Sequence, residues 1–324
     1  MTKMIKEHLI RALAEGNFVS GQQLGEMLNV SRTAIAKHMT VLSTMGLDIY
    51  SVTGKGYKLS TTLSLLNKEK IVDYFKKNDH PLIEVHSIID STNDYLLRRL
   101  PSQLNQGQVC LAEFQSAGRG RRGRQWISPF GSQIYLSMYW YLEQGLSAAM
   151  GLSLVSALAV SDAIKLHCGV QVELKWPNDI YLGGVKLAGI LIDLEGQALE
   201  PSHSVIGIGL NLNMPKKSAE VIDQRWTDLQ THSVEKIDRN ELCAQIITSL
   251  WKRLEQHREH GLTAMLDEWH CFDIYLNKPV ILLTGERVTQ GICRGINNQG
   301  ALLLEVNGQI KPIYGGEVSL RGGE

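Results

Sequence analysis

A short segment rich in arginine and glycine stands out as a candidate for chemistry. Four arginines and three glycines occupy residues 118–124, and Trp126, Ile127 and Phe130 follow. Guanidinium groups match carboxylate and phosphate oxygens, and glycine lets a backbone pass close to an anion. The segment is therefore predicted to wrap a small anionic ligand or to follow a nucleic-acid backbone. A solvated basic loop is the alternative, but the apolar residues that follow favour a loop that folds over something.

The pattern GxGxxG within this segment also matches a dinucleotide-binding loop, but that interpretation is rejected. Such a loop must open into an amphipathic helix, whereas a strand-like run, QIYLSMYWYL, follows at 133–142. Ordering a dozen residues costs about 1–2 kcal/mol each, and a charge-assisted hydrogen bond returns about 1.5–3 kcal/mol. We therefore expect a loop that is loose in the free protein and closes over a bound anion.

Two further segments concentrate polar residues in apolar surroundings. Lys175 and Asp179 bracket the proline of KWPND, and Lys186 lies in the apolar run VKLAGILIDL. Lys186 is either on a solvent-facing side of its strand or buried beside an anionic partner, and Asp179 is either functional or a turn former. In DSTN, Ser91 or Thr92 can cap a helix, and the same residues also make a polar cradle for a small ligand.

The first 62 residues read as three helices and a hairpin, the pattern of a winged helix-turn-helix. Seven basic and four acidic side chains in residues 1–60 leave this segment with a net positive charge, while the whole chain has a formal net charge of +0. DNA binding is predicted, with protein docking as the alternative. The candidate DNA contacts are Ser31, Arg32, Thr33, Lys37, His38 and Lys55.

The remaining chain changes pattern twice. Residues 67–272 mix helices with strands and predict a largely antiparallel sheet covered on one side by helices. Residues 273–324 form short strands broken at turns, which favours a small SH3-like β-barrel. We therefore predict an α+β chain of three domains, 1–62, 67–272 and 273–324.

Composition narrows the classes of protein. The chain has 324 residues, of which 44% are hydrophobic and 20% charged, so it should bury a sizeable core. Five scattered cysteines without a CxxC pair disfavour a disulfide framework or a structural zinc site, and no metal ligands are predicted. GICRG at 291–295 superficially resembles a nucleophile elbow but lies between strand patterns. With no long apolar run, a soluble cytoplasmic protein without a membrane partner is expected.

In this order, the motifs STN, QSAGRGRRGRQW, KWPNDIYL and KLAGILID resemble those of the biotin protein ligases. The likeness covers nearly the whole chain, and the N-terminal winged helix is similar to that of the bifunctional class, which also represses the biotin operon. The resemblance implies a class II synthetase-like central domain. It also implies that biotin and ATP, the latter with Mg²⁺, form biotinyl-5′-adenylate, from which biotin passes to a lysine of the biotin carboxyl carrier protein of acetyl-CoA carboxylase.

The resemblance also implies residue roles. Arg121 and Lys186 would stabilise negative charge in the transition state, and Asp179 would orient a lysine or help to activate the acceptor. Trp226 would pack against adenine, and residues 119–121 would close over biotin. The ligand-binding set is Ser91, Thr92, Asn93, Gln115, Arg119, Gly120, Arg121, Lys186 and Trp226.

The family further implies a homodimer that forms with the adenylate bound and places two winged helices on a palindromic operator. Two alternatives remain open. One is a lipoyl or octanoyl transferase on a related scaffold, and the other is a transcription factor that senses an anionic metabolite without catalysis.

Overall fold

The computed structural model describes residues 2–75, 80–284, 287–314 and 318–322. The N-terminal part forms three helices and a two-stranded antiparallel wing: α1 (Thr2–Leu13), α2 (Gly21–Leu28), α3 (Arg32–Thr44), β1 (Ile49–Val52) and β2 (Gly56–Leu59). This is the predicted winged helix-turn-helix.

Local sequence signals fix these helices. Ser20 forms a capping box with Gln23 at the start of α2, and the Ser31 side chain accepts a hydrogen bond from the Ala34 amide at the start of α3. Leu24 and Ile35 are fully buried in the shared core. Each of the two helices therefore begins at a serine cap.

The central part continues with helices and strands in the following order: α4 (Lys68–Asp73), β3 (Ile83–His86), α5 (Thr92–Leu97), β4 (Val109–Ala112), β5 (Gln133–Leu142), α6 (Leu152–Cys168), β6 (Glu173–Lys175), β7 (Asp179–Leu182), β8 (Val185–Glu195), β9 (Ser202–Asn211), α7 (Lys216–Ala219), α8 (Arg239–His260) and α9 (Leu266–Phe272). The described residues form a seven-stranded sheet in the order β3-β4-β5-β9-β8-β7-β6. Only the β3–β4 pair of this sheet is parallel.

The two faces of this sheet carry different helices. Helices α6 and α8 pack together over one face, as predicted. Contrary to the prediction that helices cover one side, α5 packs on the other face, where Leu96 meets Cys110, Tyr139 and Val205. These strand residues alternate with those facing the main core, because successive side chains of a strand point to opposite faces. The short α5 lacks a long apolar stripe that would have predicted its place.

The segment QVELKWPNDIYL is not a single strand. It reverses direction at residues 176–178, so that β6 and β7 pair antiparallel with Lys175 opposite Asp179. Pro177 and Asn178 are turn formers, and they end one strand and begin the next. The hairpin lies at the edge of the sheet.

The C-terminal part adds β10 (Pro279–Thr284), β11 (Arg287–Ile296), β12 (Leu302–Val306), β13 (Gln309–Ile313) and β14 (Val318–Gly322). Among the described residues these make a five-stranded antiparallel sheet, the SH3-like unit. Its buried Leu282 and Leu302 belong to the same hydrophobic cluster as the central part.

The winged helix and the chain that follows it are both packed against the central part. The Phe130 side chain is buried in the N-terminal core, and its amide donates to the Met45 carbonyl at 2.8 Å. The connecting chain is held by Arg239, which donates to the Ser64 carbonyl and pairs with Glu113 at 2.8 Å; both charged side chains are almost fully buried. The connection is therefore packed rather than a free tether.

Candidate active site and nucleic-acid interface

A cavity of about 370 Å³ lies on the face of the sheet that carries α5. Its floor contains three glycines, Gly189, Gly207 and Gly209, on neighbouring strands. A Cβ at Gly207 would lie 2.2 Å from the Asn93 Oδ1, and one at Gly209 would lie 2.5 Å from the Trp126 ring. The glycines therefore leave the space that these two side chains occupy.

One end of the cavity carries neutral polar groups. Ser91 caps α5, which places the buried Thr92 and Asn93 at the helix start. The Gln115 Oε1 accepts from the Thr92 amide at 2.8 Å and from its hydroxyl at 3.1 Å. The Ser137 hydroxyl donates to the Thr92 Oγ1 at 2.7 Å. This end can hold a small ligand with its own amide-like donors and acceptors.

The arginine-rich segment lies along the cavity. The Arg119 guanidinium binds Asp94 at 2.6 Å and Asp193 at 2.8 Å, and Asp193 also accepts from the Asn93 amide group. Gly120 lines the cavity, and a short 3-10 turn at 121–123 precedes β5, without the helix of a dinucleotide loop. That the arginine-rich segment is loose in the free protein stays a prediction.

Arg121 points to the KWPND hairpin. Its Nη1 donates to the Asn178 Oδ1 at 2.9 Å. Burial lowers the pKa of the Arg121 guanidinium, and the nearby Asp179 carboxylate opposes that shift. A partly desolvated cation of this kind gains from the arrival of an anion.

Lys186 is paired rather than solvated. Its Nζ lies 2.9 Å from the Asp179 Oδ1, and both side chains are largely buried. The ammonium also lies 5.6 Å from the centre of the Trp126 ring. Trp226 sits beside Lys186 because the backbone of residues 225–227 bonds to it. The predicted anionic partner of Lys186 is thus Asp179.

Every residue predicted for catalysis or ligand binding lines this one cavity. Sequence reasoning missed the glycine floor, the place of Trp126 within the cavity, and the carboxylates Asp94 and Asp193. The signal for the floor was present, since Gly207 and Gly209 alternate within an otherwise apolar strand. The carboxylates carried no local signal, because only folding brings them to Arg119.

Other candidate chemistry is absent from the described part of the chain. No group of three or more His, Cys, Asp or Glu residues there could hold a metal ion, and no helix there is long and apolar enough to cross a membrane. Cys293 of GICRG lies within β11, and burial raises the pKa of its thiol to about 12. Because Cys293 lies inside a strand, GICRG lacks the strand-to-helix turn that a nucleophile elbow requires.

A second candidate site lies on the outer face of α3 and the wing. Ser31, Arg32, Thr33 and Lys37 are exposed there, and His38 is half-buried. Lys55 lies at the wing tip, with its Nζ 5.9 Å from the Phe18 ring centre. The surface presents cations and hydroxyls on a helix of the size that enters a major groove.

Three family models match the chain. The Biotin/lipoate A/B protein ligase family matches residues 85–211, an HTH domain matches residues 6–58, and the Biotin protein ligase C terminal domain matches residues 275–321. The matches follow the order of the winged helix, the cavity-bearing sheet and the C-terminal strands.

Relatives match over the full length. The chain is 46% identical to the bifunctional ligase/repressor BirA of Escherichia coli, over 98% of this chain and 97% of that protein. It is 30% identical to the Bacillus subtilis protein of the same description, over 99% and 100%. The solved biotin protein ligase from Aquifex aeolicus, in complex with biotin and ATP, is 27% identical, covers 75% of this chain and 99% of its own, and gives a TM-score of 0.63. The chain therefore belongs to the family of bifunctional ligase/repressors.

Proposed function

We propose that this protein is an ATP-dependent biotin ligase that also represses transcription in response to biotin. The observation that carries the proposal is the two-ended cavity. Neutral hydrogen-bonding groups of Thr92 and Gln115 lie at one end, and the cations Arg121 and Lys186 lie at the other. Biotin has the matching polarity, since a neutral ureido ring and a carboxylate terminate an apolar chain.

Biotin binding falls to the neutral end. Ser91, Thr92, Asn93 and Gln115 exchange hydrogen bonds with the ureido ring, in place of some that they now make with one another. The apolar chain passes over the glycine floor alongside the Asn93 and Trp126 side chains that pack against it. The carboxylate then lies toward Lys186.

The first reaction is adenylation. A carboxylate oxygen of biotin forms a bond to the α-phosphorus of ATP, and the bond from that phosphorus to the bridging oxygen breaks, so that pyrophosphate leaves with the electron pair. Arg121 and Lys186 stabilise the charge that develops on the phosphoryl oxygens. Trp226 offers its ring to adenine at the side of Lys186.

Magnesium would arrive with the nucleotide. The described residues fit this arrangement through Asp179, a cavity carboxylate whose Oδ1 lies 2.9 Å from the Lys186 Nζ and which would help to hold the ion. Mg²⁺ commonly uses one or two carboxylates together with substrate phosphates. The bound ion would neutralise phosphate charge.

The second reaction is acyl transfer to a lysine of the biotin carboxyl carrier protein. The acceptor amine forms a bond to the biotinyl carbonyl carbon, AMP leaves, and the amine loses a proton. Asp179 holds Lys186 at 2.9 Å and thereby orients its charge toward the acyl phosphate. Asp179 is also the carboxylate available to the incoming amine.

Water must be excluded between the two reactions, because a mixed anhydride hydrolyses readily. Residues 119–121 form the cover. Arg119 fastens this cover to α5 through Asp94 and to β8 through Asp193. The cover closes on the ligand and opens for the carrier protein.

For the repressor activity, the surface of α3 and the wing binds operator DNA. We propose that biotinyl-5′-adenylate promotes a homodimer, which presents two winged helices to a palindromic operator. Sedimentation of the protein with and without adenylate tests this step, and an unchanged monomer fraction would contradict it.

Biotin-dependent pyrophosphate exchange into ATP tests the enzymatic proposal. The wild type should exchange, Lys186→Ala should lose about a hundredfold or more in rate, and Lys165→Ala, an exposed lysine on α6, should match the wild type. Exchange that depends on lipoate instead would favour the acyl transferase. DNA binding without any exchange would favour a ligand-sensing transcription factor.

A further inference from the structure

Lys175 is a cavity cation that the steps above do not use. It ends β6, the last strand of the sheet, and lines the cavity with Arg121, Asp179 and Lys186. Its position is set by the hairpin of β6 and β7, which the sequence alone did not predict.

Strand register places its side chain on the reactive side of the hairpin. Lys175 lies opposite Asp179, and Lys186 lies opposite Tyr181. Directly opposed residues of an antiparallel pair share a face, as do residues two apart on one strand. Lys175, Asp179, Tyr181 and Lys186 therefore share one face, and two short contacts agree with this. The Lys186 Nζ lies 2.9 Å from Asp179, and the Lys175 Nζ lies 3.0 Å from the Tyr181 hydroxyl.

Lys175 differs from Arg119 and Lys186, two other cations of the cavity, in its partners. Arg119 is bound by two carboxylates and Lys186 by one. Within the described ranges, Lys175 has an aromatic setting and forms no ion pair. Its Nζ lies 4.8 Å from the ring centre of Tyr181 and 5.9 Å from that of Tyr275.

The phenol does not cancel this charge. Burial and the Asp179 carboxylate raise the pKa of Tyr181, against the opposing effect of Lys186, so the hydroxyl remains protonated at neutral pH. Two rings can hold an ammonium in position by cation–π attraction and leave its charge uncompensated. An ammonium held in this way can accept a further anion without first breaking an ion pair.

From this geometry we infer that Lys175 binds the β- and γ-phosphates of ATP and retains them as the leaving pyrophosphate. The inference rests on the proposed ligase function. Lys186 and Arg121 serve the α-phosphate and the biotin carboxylate, and the uncompensated charge of Lys175 in the same cavity suits the most highly charged part of the nucleotide. Lys175 is the cation that β6 places at the edge of the sheet.

Measuring adenylation and acyl transfer separately distinguishes phosphate binding by Lys175 from a structural role. Lys175→Ala should raise the KM for ATP, and for pyrophosphate in the exchange assay, about ten- to a hundredfold, because a charge-assisted hydrogen bond is lost. The KM for biotin should change little. Transfer of biotin from preformed biotinyl-5′-adenylate to the carrier protein should proceed at the wild-type rate, since no pyrophosphate takes part.

Matched variants sharpen the result. Lys175→Arg should recover part of the pyrophosphate affinity, and Lys165→Ala should behave as the wild type.

Unchanged KM values for ATP and pyrophosphate in Lys175→Ala would overturn the inference. Equal slowing of adenylation and of transfer from preformed adenylate would also overturn it, because that pattern indicates a general disturbance of the cavity. Absence of biotin-dependent exchange in the wild type would instead contradict the proposed function itself.

Discussion

The two cationic regions of this protein are built in opposite ways. On α3, Arg32 and Lys37 are exposed, and the described residues give them no carboxylate partner. In the cavity, Arg119 and Lys186 are each held by carboxylates at 2.6–2.9 Å. The first region leaves its charges exposed to solvent, and the second fixes them with carboxylates.

This difference matches two kinds of anion. A nucleic-acid backbone is a repeating array of phosphates, which exposed Lys and Arg side chains can contact. The affinity of such contacts falls as the salt concentration rises. A small ligand in a reaction has one productive position, so its cations must be fixed in advance. A chain with no net charge can thus serve both by distributing its cations between a surface and a cavity.

The largest expected effect comes from filling the cavity floor. Gly207→Ala would place a methyl group 2.2 Å from the Asn93 Oδ1 and displace that side chain from Ser137 and Asp193. Biotin affinity should fall about a hundredfold or more, because several hydrogen bonds are lost together. Equilibrium titration with biotin measures this.

Gly183→Ala is the control for the glycine change, since no atom lies within 4 Å of a Cβ there. It should lose some stability because its φ is +60°, but it should retain biotin affinity. Wild-type biotin affinity in Gly207→Ala would show that the floor does not shape the site.

The second largest effect is expected from removing the Asp179 carboxylate charge that holds Lys186. Asp179→Asn should lower kcat about tenfold or more, since Lys186 loses its ion pair and its fixed direction. Single-turnover adenylation measures the effect, with the exposed Asp267→Asn as control. If both variants turn over alike, fixation of Lys186 is not required.

Substitutions of the exposed cations on α3 should affect DNA binding and not catalysis. Arg32→Ala should weaken operator binding about tenfold, and Lys37→Ala should reduce the salt dependence of binding by about one phosphate contact. Both should exchange pyrophosphate as the wild type does. Fluorescence anisotropy at several salt concentrations measures the binding, and the exposed Lys252→Ala serves as control. An unchanged salt slope in Lys37→Ala would argue for the protein-docking alternative.

The smallest effect concerns the cap that starts α3. Ser31→Ala should lower the free energy of unfolding by about 1 kcal/mol, because the Ala34 amide loses its acceptor. Ser31→Asp should retain the cap and the stability but weaken DNA binding by adding a negative charge. Thermal unfolding and anisotropy separate the two roles. Equal stability of all three proteins would show that the cap contributes nothing.

The same contrast explains what the sequence could predict. The winged helix depends on local signals, such as the caps at Ser20 and Ser31, and these are readable from neighbouring residues. The cavity depends on contacts between distant segments. Arg119 meets Asp193 across 74 positions, and no local pattern indicates that pair.

The cavity residues were predicted as a set because of the family resemblance, and three of them also carried a chemical signal. Arg121, Asp179 and Lys186 are charges in apolar or glycine-rich surroundings, which makes them expensive unless paired or used. Their mutual arrangement could not be read, because the turn at 176–178 that brings Asp179 to Lys186 lies inside an apparent strand. The family resemblance predicted biotin and ATP as the ligands, whereas the arrangement of the cavity residues is visible only in the folded chain.

Phe130 has a practical consequence for anyone who would shorten this protein to its enzymatic part. Its ring belongs to the core of the winged helix, although its backbone belongs to the loop that leaves the cavity. Deleting about the first 60 residues would expose the hydrophobic Phe130 side chain to solvent, only four positions from Trp126. A truncated form that lacks the winged helix therefore needs a polar replacement at Phe130, or it will tend to aggregate and to disturb the adjacent arginine-rich segment.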